Sequence, residues 1–445
     1  MMMIMTMMTI MTMMTMRLKM TKTMTLTMTL MLTMLELTRQ VSVVACLGSA
    51  APAVRDQLLA RLESSTEDIR LKISIVELLV TSVEAQPGLL QLLIVCEEES
   101  EGCLASVMRL LALCNKNSSP SWRQLHLAIV RLIDKLWSTG RLAATQHLKK
   151  QTNFWSELAR PLTDGHQDLG LEMMEIKALI LRAISGEVYT WAGKMSPELE
   201  SVVTSICQEE NSALAGWCEV EAGTEEETNV PLFLLTSWRG LLVVLSKDSP
   251  SSLPPATCRR VFTSCSSKLS SLLVSCPSSL VTLVLADTAL VLARRWRSKT
   301  TENMVSWVER MGGMLATTSL SWSSLHPRTR EGLLALGLTT LKMSDFKLGS
   351  SQSVLAGWLQ SSLSLLRISL SQLTEEAPLC LALVTGLVTR LSAKLWVPAF
   401  HSDCSLHLLV SAAEHCITNL LQPSLVTAIL SLLLEVSTCE DGNDD

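Results

Sequence analysis

The stretch HSDCSLH, carrying His401, Cys404 and His407 and followed by His415 and Cys416, is the one cluster in this chain with residue types suited to a metal. Zinc takes four converging nitrogen or sulfur ligands, usually gathered by a tight loop. Here the spacing falls at the start of a predicted helix and brings two or three ligands at most to one face. Ordinary helix residues are the better reading, and no metal ligand is assigned. No Gly-rich phosphate loop, G-x-S-x-G elbow, H-E-x-x-H pair or EF-hand loop occurs. The thirteen cysteines are odd in number, scattered and never spaced C-x-x-C. They predict reduced thiols in a cytosolic or nuclear compartment. Cys96, Cys114 and Cys207 lie in apolar helical patterns and read as small core hydrophobes. The residues therefore assign no catalytic, cofactor-binding or metal site and no small-molecule substrate, and they point away from an enzyme.

Recognition of nucleic acid is disfavoured too. A net charge of −5 supplies no basic excess to neutralise phosphates. The densest basic run, RRWRSK at Arg294–Lys299, follows an apolar stretch, where cations complement the carbonyls of a last helical turn. Most of the eleven tryptophans, among them Trp137, Trp238, Trp296 and Trp358, fall on apolar helical stripes and read as packing rather than as stacking platforms. The acidic groups CEEESE and GTEEET read as solvated loops.

What remains is a chain of apolar helices. Hydrophobic residues make up 48% and charged residues 18%, with Leu dominant and a single Tyr. Long-side-chain helix formers outweigh the β-branched and aromatic residues that a sheet prefers. At 445 residues the chain exceeds the roughly 250–300 at which one core stops growing, which predicts several domains or a repeat array. Ile69, Ile73, Val76 and Val80 form one stripe, and Leu71, Ile75 and Leu78 a second on nearly the opposite side. A helix apolar on two faces is sandwiched between neighbours. Ser65-x-x-Asp68 marks its start as a capping box, and Pro87 ends it. Ser196 is the expected N-cap of the helix that opens with Pro197. Further helices are expected near 257–274, 279–297, 301–317, 328–342, 352–370, 375–396, 403–421 and 424–437. Prolines 52, 87, 120, 161, 197 and 231 recur every 33 to 41 residues, the length of one helical hairpin. The predicted fold is all-α, an elongated α-solenoid of stacked helical hairpins forming a HEAT- or armadillo-like superhelix.

The organisation follows. Residues 1–40 are rich in Met and Thr, with 15 of the 23 methionines before residue 36. They lack the order of a signal peptide, and Thr interrupts any membrane span. A translated simple repeat fits the composition, and a disordered tail is expected. Residues 41–438 are assigned to the solenoid and 439–445 to an acidic tail. LVTLVLADTALVLA comes nearest to a membrane span but carries Asp287 in its middle, so a soluble protein is expected.

From Ala45 to Leu93 the text becomes specific: ACLG, the RD of Arg55-Asp56, RLES at Arg61–Ser64, ED-R-K ending at Lys72, and VE-QPGL at Val83–Leu89. FWSELARPL (Phe154–Leu162), SWRGLL (Ser237–Leu242) and RRWRS (Arg294–Ser298) follow. Together these resemble the nucleoporin 188 family, with the related nucleoporin 205 family a close competitor, and the likeness runs from about 41 to 438. The resemblance implies a middle portion of a large α-solenoid scaffold of the nuclear pore inner ring, without catalytic residues. Its expected partners are other inner-ring nucleoporins bound through amphipathic helical motifs, its location the nuclear envelope, and its role the support of protein import and RNA export. No Phe-Gly dipeptide occurs, which argues against a barrier-forming nucleoporin. A soluble HEAT-type transport receptor or adaptor is the competing reading.

Overall fold

Proline placement explains much of the helix order. In the computed structural model, Pro87, Pro120 and Pro197 are each the first residue of a helix, and Pro52 and Pro231 fall in first turns. There the missing N–H costs nothing and the fixed φ is already helical. Pro161 is different and lies inside a helix near its end. The structure describes residues 43–94, 102–163, 170–191, 195–207, 229–248, 255–295, 304–343, 352–372, 374–402, 405–418 and 423–440. Among these every regular element is helical.

The helices sort into two compact units. The first holds α1 (Val43–Leu47), a 3-10 turn (Gly48–Ala50), α2 (Ala51–Glu63), α3 (Ile69–Ala85), α4 (Pro87–Ile94), α5 (Cys103–Cys114), α6 (Pro120–Ser138), α7 (Leu142–Lys149), α8 (Phe154–Thr163), α9 (Leu171–Trp191), α10 (Pro197–Cys207) and α11 (Asn229–Asp248). The long helices α3, α6, α9 and α11 pack one on the next as a row, and α2, α5, α8 and α10 form a second row against them. The second unit holds α12 (Pro255–Ser275), α13 (Leu280–Arg295), α14 (Met304–Ser321), a 3-10 turn (Trp322–Ser324), α15 (Pro327–Met343), α16 (Gln352–Ser371), α17 (Ala377–Val388), α18 (Ala393–Ser402), α19 (Ser405–Thr418) and α20 (Pro423–Glu440). Its rows are α13, α15, α17, α20 and α12, α14, α16, α19. Each unit is thus an α-solenoid of stacked hairpins, in which a helix buries one side on its hairpin partner and another on the neighbouring repeat.

Helix α3 shows how the sequence builds this. Leu71, Ile75 and Leu78 are buried together with Val76, Leu79 and Val83, while Ile69, Ile73 and Val80 are half-buried on the other side. The N-cap is Asp68 itself, whose carboxylate accepts from the Arg70 amide at 3.1 Å. The Ser65–Asp68 capping box is therefore not formed: Asp68 sits one residue before the helix, where its own short side chain reaches the first free amides. Ser196 does cap α10, its Oγ accepting from the Leu199 amide at 3.3 Å.

Two expectations change. The single helix foreseen at 375–396 is two, α17 and α18, separated by a turn in which the Arg390 and Leu391 amides bond the Leu387 carbonyl. The repeat is also longer than the proline spacing indicates. Side chains that tie one repeat to the next join residues 42 to 50 positions apart, from Ser106–Glu63 and Arg131–Glu175 through Arg182–Asp134 to Trp358–Val308. Short helices such as α4 and α7, added after the long ones, account for the extra length. The Met/Thr segment, the acidic loops and residues 441–445 lie outside the described residues, and α20 continues to Glu440, two residues into the expected acidic tail.

Candidate interaction surfaces

Several of the residues that carry the family resemblance join neighbouring helices. Lys72, 5% exposed, donates from Nζ to the Leu62 carbonyl at 2.9 Å, closing the end of α2 from within α3. Burial pushes its ammonium below the usual range, with Glu67 acting against that shift. Glu67 also pairs with Arg61 at 2.6 Å. Gln86 is buried and accepts the Val43 amide at 3.1 Å, anchoring α1. Lys72 and Gln86 thus satisfy backbone groups at helix ends that would otherwise be left bare.

The FW pair of α8 builds an aromatic cluster. Phe154 stacks on Trp137 of α6 with centroids 5.6 Å apart, and Trp155 meets both edge-on. Trp137 is half-buried, and its indole N–H donates to Glu187 of α9 at 2.9 Å. Glu187 also accepts Lys149 of α7 at 2.8 Å, so one buried carboxylate joins three helices. Nearby, Asp134 of α6 accepts two bonds from Arg182 of α9, one of them 2.6 Å from Nε, and the guanidinium lies 5.3 Å over the Phe233 ring of α11. The carboxylate raises the Arg182 pKa. Three successive repeats are thus fastened through one arginine, a geometry lysine cannot supply. In the second unit Arg330 of α15, half-buried, lies 2.9 Å from buried Glu376 at the start of α17.

None of this geometry resembles a reaction centre. Burial pushes the Cys114 and Cys207 thiols up to about 12 and Cys380 higher still. They are protonated packing groups and not nucleophiles. His126, 3% exposed in α6, is pushed down to about 4 by burial and stays neutral. No group of three His, Cys, Asp or Glu side chains converges to hold a metal among the described residues. In the HSDCSLH stretch Cys416 is buried in the core, whereas His407 and His415 are exposed, and Cys404 lies outside the described residues. Trp238 and Trp358 are buried packing residues, 1% and 0% exposed, while Trp296 lies outside the described residues.

What the helices do offer is surface for other helices. His407, Leu408, Ser411 and His415 of α19 face Leu370 and Ser371 at the end of α16 across an open hollow of about 320 Å³. Val410 and Ile417 of α19 and Leu430 and Leu434 of α20 are exposed. Composition suggests neither feature, since each depends on which flank a neighbour covers. Among the described residues no helix is long and apolar enough to cross a membrane.

Fold and ties together define a helical-repeat packing protein. No family model matches the chain. It is similar to nucleoporin NUP188 of Xenopus tropicalis, 29% identical over 296 residues, covering 59% of this chain and 17% of that protein. NUP188 of Mus musculus and of Homo sapiens are each 27% identical, over 349 and 342 residues, covering 69% of this chain and 19% of each relative. The chain therefore spans less than a fifth of the length of the nucleoporins it matches.

Proposed function

We propose that this chain is a structural scaffold segment of the nuclear pore complex, placed in the inner ring at the nuclear envelope and supporting transport of protein and RNA through protein–protein contacts alone. On this reading residues 41–438 are the helical-repeat region between a Met/Thr-rich tail and an acidic one, with no catalytic or cofactor residue in any of the three. The observation that carries it is the co-location of likeness and packing. The stretches that read as nucleoporin 188, at Ala45–Leu93 and Phe154–Leu162, contain Lys72, which closes α2 onto α3 within one hairpin, Gln86, which anchors α1, and Phe154 and Trp155, which pack on Trp137 of the preceding repeat. A scaffold needs those ties, since its function is to hold shape while partners dock between repeats.

The experiment is to tag the chain at its own locus and image it, following fluorescence recovery after bleaching. A scaffold gives a punctate nuclear rim that recovers over hours. Diffuse cytoplasmic signal or recovery within seconds would instead favour a soluble transport adaptor of the same fold.

A further inference from the structure

The turn at residues 64–68, between α2 and α3, carries a motif that the fold does not use. Ser65-x-x-Asp68 has the spacing of a capping box, yet Asp68 caps α3 with its own carboxylate and Ser65 is left over. Ser65 is exposed, and its hydroxyl makes no hydrogen bond among the described residues. The Ser64 and Thr66 hydroxyls on either side bond each other at 3.1 Å. Backbone at both ends of the turn is non-helical, with ψ 123° at Ser64 and 131° at Asp68, so Ser65 belongs to neither helix. The same spacing of hydroxyl and carboxylate recurs at Ser74-x-x-Glu77 and Thr81-x-x-Glu84. Those pairs lie inside α3, where the hydroxyls donate to the Arg70 and Glu77 carbonyls.

A serine with a carboxylate three positions beyond it is read by protein kinases whose substrate cleft is lined with Lys and Arg. Glu67 turns inward onto Arg61 at 2.6 Å and its side chain is only 5% exposed, so exposed Asp68 presents the charge. We propose that Ser65 is a phosphorylation site for a kinase of this acid-directed class. The γ-phosphoryl group of ATP passes to Ser65 Oγ: the bond from phosphorus to the serine oxygen forms as the bond to the β,γ-bridging oxygen breaks. ADP leaves with that electron pair, and the hydroxyl proton goes to the kinase's catalytic carboxylate. The product adds a charge of about −2 close to Glu63 and Glu67, which flank Ser65 in the sequence. Glu63 already accepts Ser106 at 2.7 Å and Arg109 at 2.6 Å from α5, and Glu67 pairs with Arg61. The phosphate repels both carboxylates and competes for Arg61, which leaves the inward Glu67 carboxylate without its cation. Phosphorylation therefore loosens the end of the α2–α3 hairpin that Lys72 closes. The proposal goes beyond the pore reading and stands without it, since it rests on this turn alone.

The test incubates the full chain with Mg-ATP and a purified acid-directed kinase, then maps phosphate by peptide mass spectrometry. Phosphate on Ser65 is expected, with Ser64, Ser74 and Thr81 unmodified. Asp68→Asn separates recognition from folding, because asparagine caps a helix as well as aspartate does. That variant is expected to keep the melting temperature of the parent and to lose about tenfold in the rate of Ser65 phosphorylation. In the modified chain, amide exchange over residues 66–73 is expected to speed by about threefold or more, while a Ser65→Ala chain treated in parallel stays unchanged. No phosphate on Ser65, an Asp68→Asn chain modified at the parental rate, or exchange unaltered by the phosphate would each overturn the proposal. So would modification that appears only in urea, because the site would then be closed in the folded chain.

Discussion

Gly312 of α14 marks the closest approach between neighbouring repeats in the second unit. A Cβ built there would lie 2.4 Å from Nε1 and 2.6 Å from Cδ1 of Trp358, far inside contact distance. Trp358 cannot yield easily. It is 0% exposed, and its indole N–H donates to the Val308 carbonyl at 2.9 Å, one turn before Gly312 on the same helix. Two opposing effects meet at Gly312→Ala. Alanine is favoured over glycine in a helix by about 1 kcal/mol. Against this, overpacking costs about 1–3 kcal/mol and a displaced, unpaired buried N–H another 1–3 kcal/mol. The clash wins, and a net loss of about 1–5 kcal/mol is expected from the second unit. Urea unfolding of the full chain, read together with amide hydrogen exchange in α14 and α16, measures it. Trp358→Phe in the same background should recover part of the loss by freeing space, giving a non-additive cycle. A Gly312→Ala chain as stable as the parent would refute the close-approach argument.

Three further outcomes are expected. His126 is held near 4 in the folded chain against 6.5 when unfolded, so the unfolded state binds the extra proton first. Stability should fall as pH drops from about 6.5 to about 4, by up to about 3 kcal/mol, and His126→Leu should remove that share of the slope in urea titrations at the two pH values. Asp134→Ala should cost about 2 kcal/mol in chemical denaturation, since it strips a buried carboxylate from an arginine that is half-exposed on its other side. Iodoacetamide at pH 8 should label exposed Cys276 within minutes and leave Cys114, Cys207 and Cys380 unmodified in native protein, as read by peptide mass spectrometry.

Much of the helical order was legible because it is local. Pro120 and Pro197 announce helix starts through their fixed φ, Ser196 announces a cap, and the two apolar stripes of α3 announce a helix with neighbours on both sides. The break between α17 and α18 was not legible. Apolar residues continue through Leu387, Val388 and Leu391, and the turn there contains neither proline nor glycine. The repeat step was misjudged for a related reason: proline spacing counts helix starts, whereas stacking pairs residues 42 to 50 apart. Nor could Glu187, Asp134 or Gly312 be singled out in advance. Each looks ordinary alone, and its role exists only once a partner two or three helices away is brought against it.

The account stands or falls on whether the chain is built into the nuclear pore. Chemical cross-linking of isolated nuclear envelopes carrying the chain tagged at its own locus, followed by peptide mass spectrometry, reads this directly. The expected result is cross-links from exposed lysines of the repeat units to other nucleoporins, alongside intrachain links between neighbouring repeats. Intrachain links alone, with the chain washing out of the envelope fraction, would contradict it.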